Sequence, residues 1–95
     1  ECVPAALASK ITQELTTMAT IGIGAGNGCD GQVLVCNDLL GVSDGFCPKF
    51  VKKYADIHSI TVNAVKSYIN EVKDRSFPAP EHTFKIDDTV LEKLY

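Results

Sequence analysis

The sequence predicts an α/β chain with more helix than its few strands can use. Three observations carry this. Two short β-branched runs, within 19–24 and 32–37, have the unbroken apolar character of strands covered on both faces. Stretches opening at or near Pro4, Pro48 and Ser59 place apolar residues at helical spacing. The order helix, strand, strand, helix, helix puts most helices at one end, where they cannot cover both faces of a sheet, the pattern of a portion cut from a larger α/β protein.

The elements follow in order. Pro4 suits the first position of a helix, where its missing N–H costs nothing. Leu7, Ile11 and Leu15 then recur every fourth residue among helix-favouring alanines, predicting a helix over 4–15. In 19–24, Ile21 and Ile23 are separated by glycine rather than by a polar residue, which predicts a strand. QVLVCN at 32–37 predicts a second. Only about eight residues separate them, few for a helical crossover between parallel strands, so pattern alone leaves parallel and hairpin pairings open.

Pro48 opens a predicted helix over 48–55 with Phe50, Val51 and Tyr54 inward. A longer helix over 59–74 carries Ile60, Ala64, Val65, Tyr68, Ile69 and Val72 on one face, and the FPAP run at 77–80 ends it. A last amphipathic turn or two spans 87–94, with Asp87 and Asp88 as capping charge. Residues 1–3 read as the end of a further strand.

Charge and composition exclude several function classes. With 95 residues, 45% hydrophobic content, a formal charge of −3 and no Lys/Arg cluster beyond Lys52-Lys53, the composition argues against a nucleic-acid or anionic-membrane surface. No apolar run approaches the roughly 18 residues of a membrane span, and no secretory leader pattern is present. Cys2, Cys29, Cys36 and Cys47 contain no CxxC pair, so the expectation is free, mostly buried thiols in a reducing cytoplasm.

Five of the seven glycines fall within 22–31. Such density marks close backbone approach or left-handed φ. GNGCDG at 26–31 formally matches GxGxxG, but the residues after it are β-branched and do not open a helix, which weighs against a dinucleotide site. The alternatives are a tight connection, or a nest of backbone amides holding an anion on loop 26–31. Asp30, Asn37 and Asp38 read as caps or turn formers before Mg²⁺ ligands. His58 and His82 read as surface or packing residues. Glu1 falls where a buried strand gives way to a helix; the residues alone favour a frayed, solvated side chain there, and the alternative is a partly desolvated carboxylate serving as general base.

Several strings, in register from 1 to about 84, then converge. They are Glu1-Cys2-Val3-Pro4 with its alanine-rich helix, IGIGAG at 21–26, DGQVLV at 30–35 and D-x-x-G at 38–41, followed by PKFVK at 48–52 and FPxxEHTF at 77–84. Together they resemble the C-terminal part of the ketopantoate hydroxymethyltransferase family. The resemblance implies a (β/α)8 TIM barrel of about 250 residues, of which 1–84 would hold the end of strand six through helix eight. The two strands would then be parallel, residues 85–95 would form a C-terminal extension, and the chain would be incomplete on its own.

It also implies a reaction, the transfer of a hydroxymethyl group from 5,10-methylenetetrahydrofolate to the 2-oxo acid 3-methyl-2-oxobutanoate, giving 2-dehydropantoate for pantothenate and coenzyme A synthesis. The family's catalytic glutamate falls on Glu1, and Gly24, Ala25 and Gly26 become a wall of the substrate pocket. Mg²⁺ would be held by residues upstream of Glu1, with none of its ligands in this chain. The implied setting is a cytoplasmic homo-oligomer contacting itself through the closing helices. One departure is Asn37 before Asp38, where the family commonly has a His-Asp pair. The isolated chain is expected to be catalytically silent.

Overall fold

A computed structural model describes residues 1–94, which form two compact units, Glu1–Ile60 and Thr61–Tyr95. In the first unit, helix α1 spans Ala5–Glu14. Pro4 caps it from outside with an extended backbone, and its carbonyl accepts the Ala8 amide at 3.0 Å. Leu15 leaves the helix in an extended conformation. The Thr12 hydroxyl, one turn before that end, is hydrogen-bonded to the Thr20 hydroxyl at 2.7 Å. This bond ties α1 to the strand that follows.

Strands β1 (Ile21–Gly22) and β2 (Gly31–Gln32) pair in parallel, with Ile21 opposite Gly31 and Gly22 opposite Gln32. Parallel pairing is the alternative that the family resemblance selects. The ladder continues one bond each way, from the Gly31 amide to the Thr20 carbonyl at 3.0 Å and from the Val33 amide to the Gly22 carbonyl at 2.9 Å. Between them the chain makes its crossover without a helix. Asp30 closes the crossover by accepting the Thr20 amide at 2.8 Å, while its own amide bonds the Thr20 hydroxyl at 3.2 Å. Asp30 is thus a turn former.

Both strands are shorter than 19–24 and 32–37. Past Gly22 the next free carbonyl, that of Ile23, accepts the Cys2 amide at 3.0 Å. Residues 1–3 therefore lie beside β1, but they make this one bond rather than a strand. The second run stops because Cys36–Leu39 forms helix α2, with Asp38 in its first turn, where negative charge is favourable.

The expected helix over 48–55 is absent. A single turn closes from the Val51 amide to the Pro48 carbonyl, and the chain then runs to Asp56 as neither helix nor strand. The reason lies at the end of α2, whose last carbonyls need partners. Tyr54, Ile57 and His58 amides bond the carbonyls of Leu39, Leu40 and Gly41 at 2.8, 3.1 and 2.9 Å, which a helix over 48–55 would forbid for Tyr54.

Helix α3 spans Ile57–Asp74, starting two residues before the expected Ser59 because Asp56 caps it, accepting the Ser59 amide at 3.1 Å. Its end is set by Arg75, whose φ of 64° turns the chain so that the Ser76 and Phe77 amides return to the Glu71 carbonyl. The prolines come after this stop. In the second unit Phe77 packs edge-on to Tyr68 at 5.7 Å and against His82 at 5.2 Å. His82 lies in a 3₁₀ turn, Pro80–His82, and its Nδ1 accepts the Ala79 amide at 3.1 Å. Helix α4 (Asp88–Leu91) is capped by Asp87, as the paired aspartates suggest, with the Thr89 amide donating at 2.9 Å.

Hydrogen bonds from Ser59, Ser76 and Thr89 side chains, then from their amides, hold the carboxyls of Asp56, Asp74 and Asp87 below their ordinary value. Groups depressed in the folded state stabilise it above the unfolded value of about 3.9 and stop doing so as pH falls through the folded one. Asp56→Ala is therefore expected to speed amide exchange at Ser59 at neutral pH and to change little in strong acid. An equal effect at both pH values would contradict the cap.

The buried apolar residues among those described are Ala8 and Ala25, at 6% and 5% exposure, while Ile21 is 66% exposed. The expectation of strands covered on both faces is not met within this chain. Two strands and one packed helix leave Leu7, Val33 and Val35 open as well. The four thiols are unpaired, as expected, but not mostly buried, because Cys2, Cys36 and Cys47 are exposed and Cys29 half-buried. No helix among the described residues is long and apolar enough to cross a membrane.

Candidate functional site

Glu1 is placed by its neighbour. Cys2 adopts φ 55°, a left-handed value that few non-glycine residues hold, and its amide is bonded to the Ile23 carbonyl. This sets Glu1 at the exit of β1, beside the start of α1. There it lines a hollow of about 140 Å³ with Val3, Thr12, Ile23, Ala25 and Cys29. Glu1 itself is exposed at the rim. The arrangement offers a carboxylate proton acceptor above a mostly apolar floor.

The three expected wall residues divide between two hollows. Ala25 shares the hollow of Glu1, whereas Gly24 and Gly26 line a second space with Asn27, Gln32 and Phe50. Both glycines are left-handed, with φ 62° and 80°. Both also touch what a side chain would displace. A Cβ on Gly26 would sit 2.5 Å from the Ala5 Cβ, and one on Gly24 would sit 2.7 Å from Phe50 Cγ. The Gln32 amide nitrogen fixes the turn by donating to the Gly26 carbonyl at 2.8 Å. The glycines thus press the crossover onto α1 on one side and onto Phe50 on the other.

Loop 26–31 makes a poor anion cradle. Its Gly31 amide is spent on Thr20, its Asp30 carboxylate adds negative charge, and no basic side chain lines the neighbouring hollow. Among the described residues no three His, Cys, Asp or Glu groups come together to hold a metal ion. His58 Nε2 faces Asp44 Oδ2 at 3.4 Å, and His82 is held by Ala79 and Phe77, so each has a structural partner.

A larger hollow of about 540 Å³ was not legible in the sequence. Gly24, Gln32, Leu34, Phe50, Lys52 and Tyr54 are among its lining residues. Reading 48–55 as a helix hides it, because Phe50, Lys52 and Tyr54 line one wall only along the non-helical path. The available signal was the FVKKY string itself, with aromatic, basic and aromatic residues at alternate positions.

Comparison with known proteins bears directly on these features. The family model described as ketopantoate hydroxymethyltransferase matches residues 1–80. A 3-methyl-2-oxobutanoate hydroxymethyltransferase of Enterococcus faecalis is 59% identical over 95 residues, all of this chain and 34% of that protein. The protein of the same name from Clostridium novyi is 55% identical over the same span, with the same coverage. The one from Syntrophus aciditrophicus is 60% identical over 84 residues, 88% of this chain and 30% of that protein. The chain thus spans about a third of the length of the curated relatives it matches. The match takes in Glu1, the glycine crossover and the 48–55 segment alike, and on that ground the chain belongs to the ketopantoate hydroxymethyltransferase family.

Proposed function

We propose that the full-length protein carrying this chain transfers a hydroxymethyl group from 5,10-methylenetetrahydrofolate to 3-methyl-2-oxobutanoate, and that residues 1–84 supply the end of strand six through helix eight of its (β/α)8 barrel. The parallel pairing of β1 and β2 supports the barrel assignment, since barrel strands run parallel. Residues 85–95 are the C-terminal extension.

The observation that carries the reading is the placement of Glu1 beside the β1 exit, at the rim of a mostly apolar hollow. Its role is general base. The acceptor's C3 proton, α to a ketone, passes to a Glu1 carboxylate oxygen, and the enolate carbon forms the new C–C bond to the one-carbon unit. Water supplies the hydroxyl oxygen, and the two C–N bonds of the donor become N–H bonds of tetrahydrofolate. No net redox change occurs.

The Mg²⁺ that the family resemblance implies finds no fitting ligand set among the described residues. We place its ligands outside this chain and route no step through it. The exposed apolar faces of the closing helices, with Tyr68, Val72, Leu91 and Leu94, suit contacts between copies of the protein. Four unpaired thiols suit a reducing compartment, and we place the enzyme in the cytoplasm.

A turnover assay with the 2-oxo acid, the folate donor and Mg²⁺ tests the reading. The full-length protein is expected to form 2-dehydropantoate, and residues 1–95 alone are expected to form none. Product from the isolated chain would overturn the division of the site.

A further inference from the structure

We infer that Asp30, Thr20 and Thr12 form a lock that sets helix α1 in register against β1, and that Thr12 is thereby a positioning residue for the Glu1 carboxylate. This inference rests on the proposed role of Glu1 as general base and adds what holds that carboxylate in place. The Thr20 hydroxyl lies 3.1 Å from Asp30 Oδ2, and an ionised carboxylate only accepts, so the hydroxyl proton goes to Asp30. The Thr20 oxygen then accepts the Asp30 amide at 3.2 Å and the Thr12 hydroxyl at 2.7 Å. The single Thr12 hydroxyl proton is thus committed to the strand rather than to the Ala8 carbonyl, 2.9 Å away in its own helix. Asp30 gives the bond between helix and strand its direction.

The dimensions of the two elements make this bond bear on Glu1. From Ala5 to Thr12 a helix rises about 10 Å, at roughly 1.5 Å per residue. From Thr20 to Ile23 the chain through β1 covers about 10 Å, at roughly 3.3 Å per residue. The two sides match in length, and each end is closed by a hydrogen bond. Thr12 meets Thr20 at one end, and the Cys2 amide meets the Ile23 carbonyl at the other. A helix that slid by one residue, about 1.5 Å, would strain both bonds together and carry Glu1 with it.

The crossover supplies contact but not register. Ala5, Ser9 and Thr12 share one face of α1, at i, i+4 and i+7. Gly26 and Gly28 lie so close to that face that a Cβ would meet the Ala5 Cβ at 2.5 Å and the Ser9 Cβ at 2.7 Å. Bare glycine backbone brings the helix near and offers no notch against sliding. The directional contact on this face is the half-buried Thr12–Thr20 bond. All of these partners belong to this chain.

The test follows deuterium exchange at C3 of 3-methyl-2-oxobutanoate by the full-length protein, without folate donor and below the Tm of every variant. Thr12→Val keeps the side-chain shape and loses the hydroxyl. It is expected to lower the saturating exchange rate about tenfold, since a misplacement of about 1 Å can cost up to 10²-fold, and to leave the half-saturating acid concentration unchanged. Thr12→Ser is expected to restore the rate. Asp30→Ala should match Thr12→Val, whereas Asp30→Asn, whose side-chain oxygen can accept the same two Thr20 donors, should stay near wild type. Asp56→Ala, which removes the cap of α3, should leave exchange unchanged. Should Thr12→Val fail to fold, the pair at exposed Asp30 decides, and equal rates in Asp30→Ala and Asp30→Asn would overturn the lock. Wild-type exchange in Thr12→Val, or an equal loss in Asp56→Ala, would also overturn it. The base assignment would survive either result if Glu1→Gln abolished exchange, and undiminished exchange in Glu1→Gln would overturn that assignment itself.

Discussion

Glu1→Gln in the full-length enzyme is expected to lower kcat by about 10²–10⁴-fold, the usual contribution of a positioned general base. The amide keeps the size and shape of the side chain, so the hollow shared with Val3, Ile23 and Ala25 should keep its volume. Binding of the 2-oxo acid should change little, because the Cys2–Ile23 bond that sets the position involves only backbone. Mg²⁺ affinity should be nearly intact, because the family resemblance puts the ligands upstream of Glu1. The measurement is steady-state turnover beside equilibrium binding of the acid. Activity within tenfold of wild type would contradict the assignment.

Gly26→Ala is expected to destabilise the full-length protein by about 2–5 kcal/mol, summing the left-handed penalty for an L-residue with the cost of overpacking. The new methyl would meet the Ala5 Cβ at 2.5 Å, and Ala5 opens α1 directly after Pro4. Relief requires either the crossover or the start of α1 to move, and the latter carries Glu1 with it. A fall in kcat should therefore accompany the loss of Tm, with Gly26 acting as a positioning residue. Gly45→Ala is the control. Its nearest neighbour would be the flexible Ser43 hydroxyl at 3.3 Å, so a change below about 0.5 kcal/mol is expected. Equal effects at the two glycines would show that close approach to α1 is not what Gly26 is for.

Local signals were read well wherever a residue acts on its own neighbours. Pro4 opening α1, Asp87 capping α4, Asp30 as a turn former and the glycine crossover all follow from short-range chemistry. What the sequence concealed depends on distant partners. The stretch at 48–55 has helical periodicity, yet its Tyr54 amide is drawn to Leu39 fifteen residues away. The strands shrink to two residues each because Ile23 turns its carbonyl to Cys2, and Cys36 enters α2. Their apolar side chains remain open within this chain, so periodicity correctly marks apolar faces that these residues alone do not cover.

The site divides in the same way. Glu1 stands out by its place in Glu-Cys-Val-Pro, and the Cys2–Ile23 hydrogen bond sets it beside the β1 exit. The wall of Gly24, Ala25 and Gly26 was read as one surface. The left-handed turns at Gly24 and Gly26 instead put Ala25 on the side of Glu1 and leave the glycines on the side of Phe50. Lys52 and Tyr54 needed the fold before they could be seen as a wall.

The central claim is that Glu1 removes the C3 proton of the 2-oxo acid. Hydrogen–deuterium exchange at C3 of 3-methyl-2-oxobutanoate in D₂O, followed by proton NMR with the full-length enzyme and no folate donor, isolates that step from everything after it. The account predicts catalysed exchange by the wild-type protein and its loss in Glu1→Gln. Undiminished exchange in the variant would contradict it.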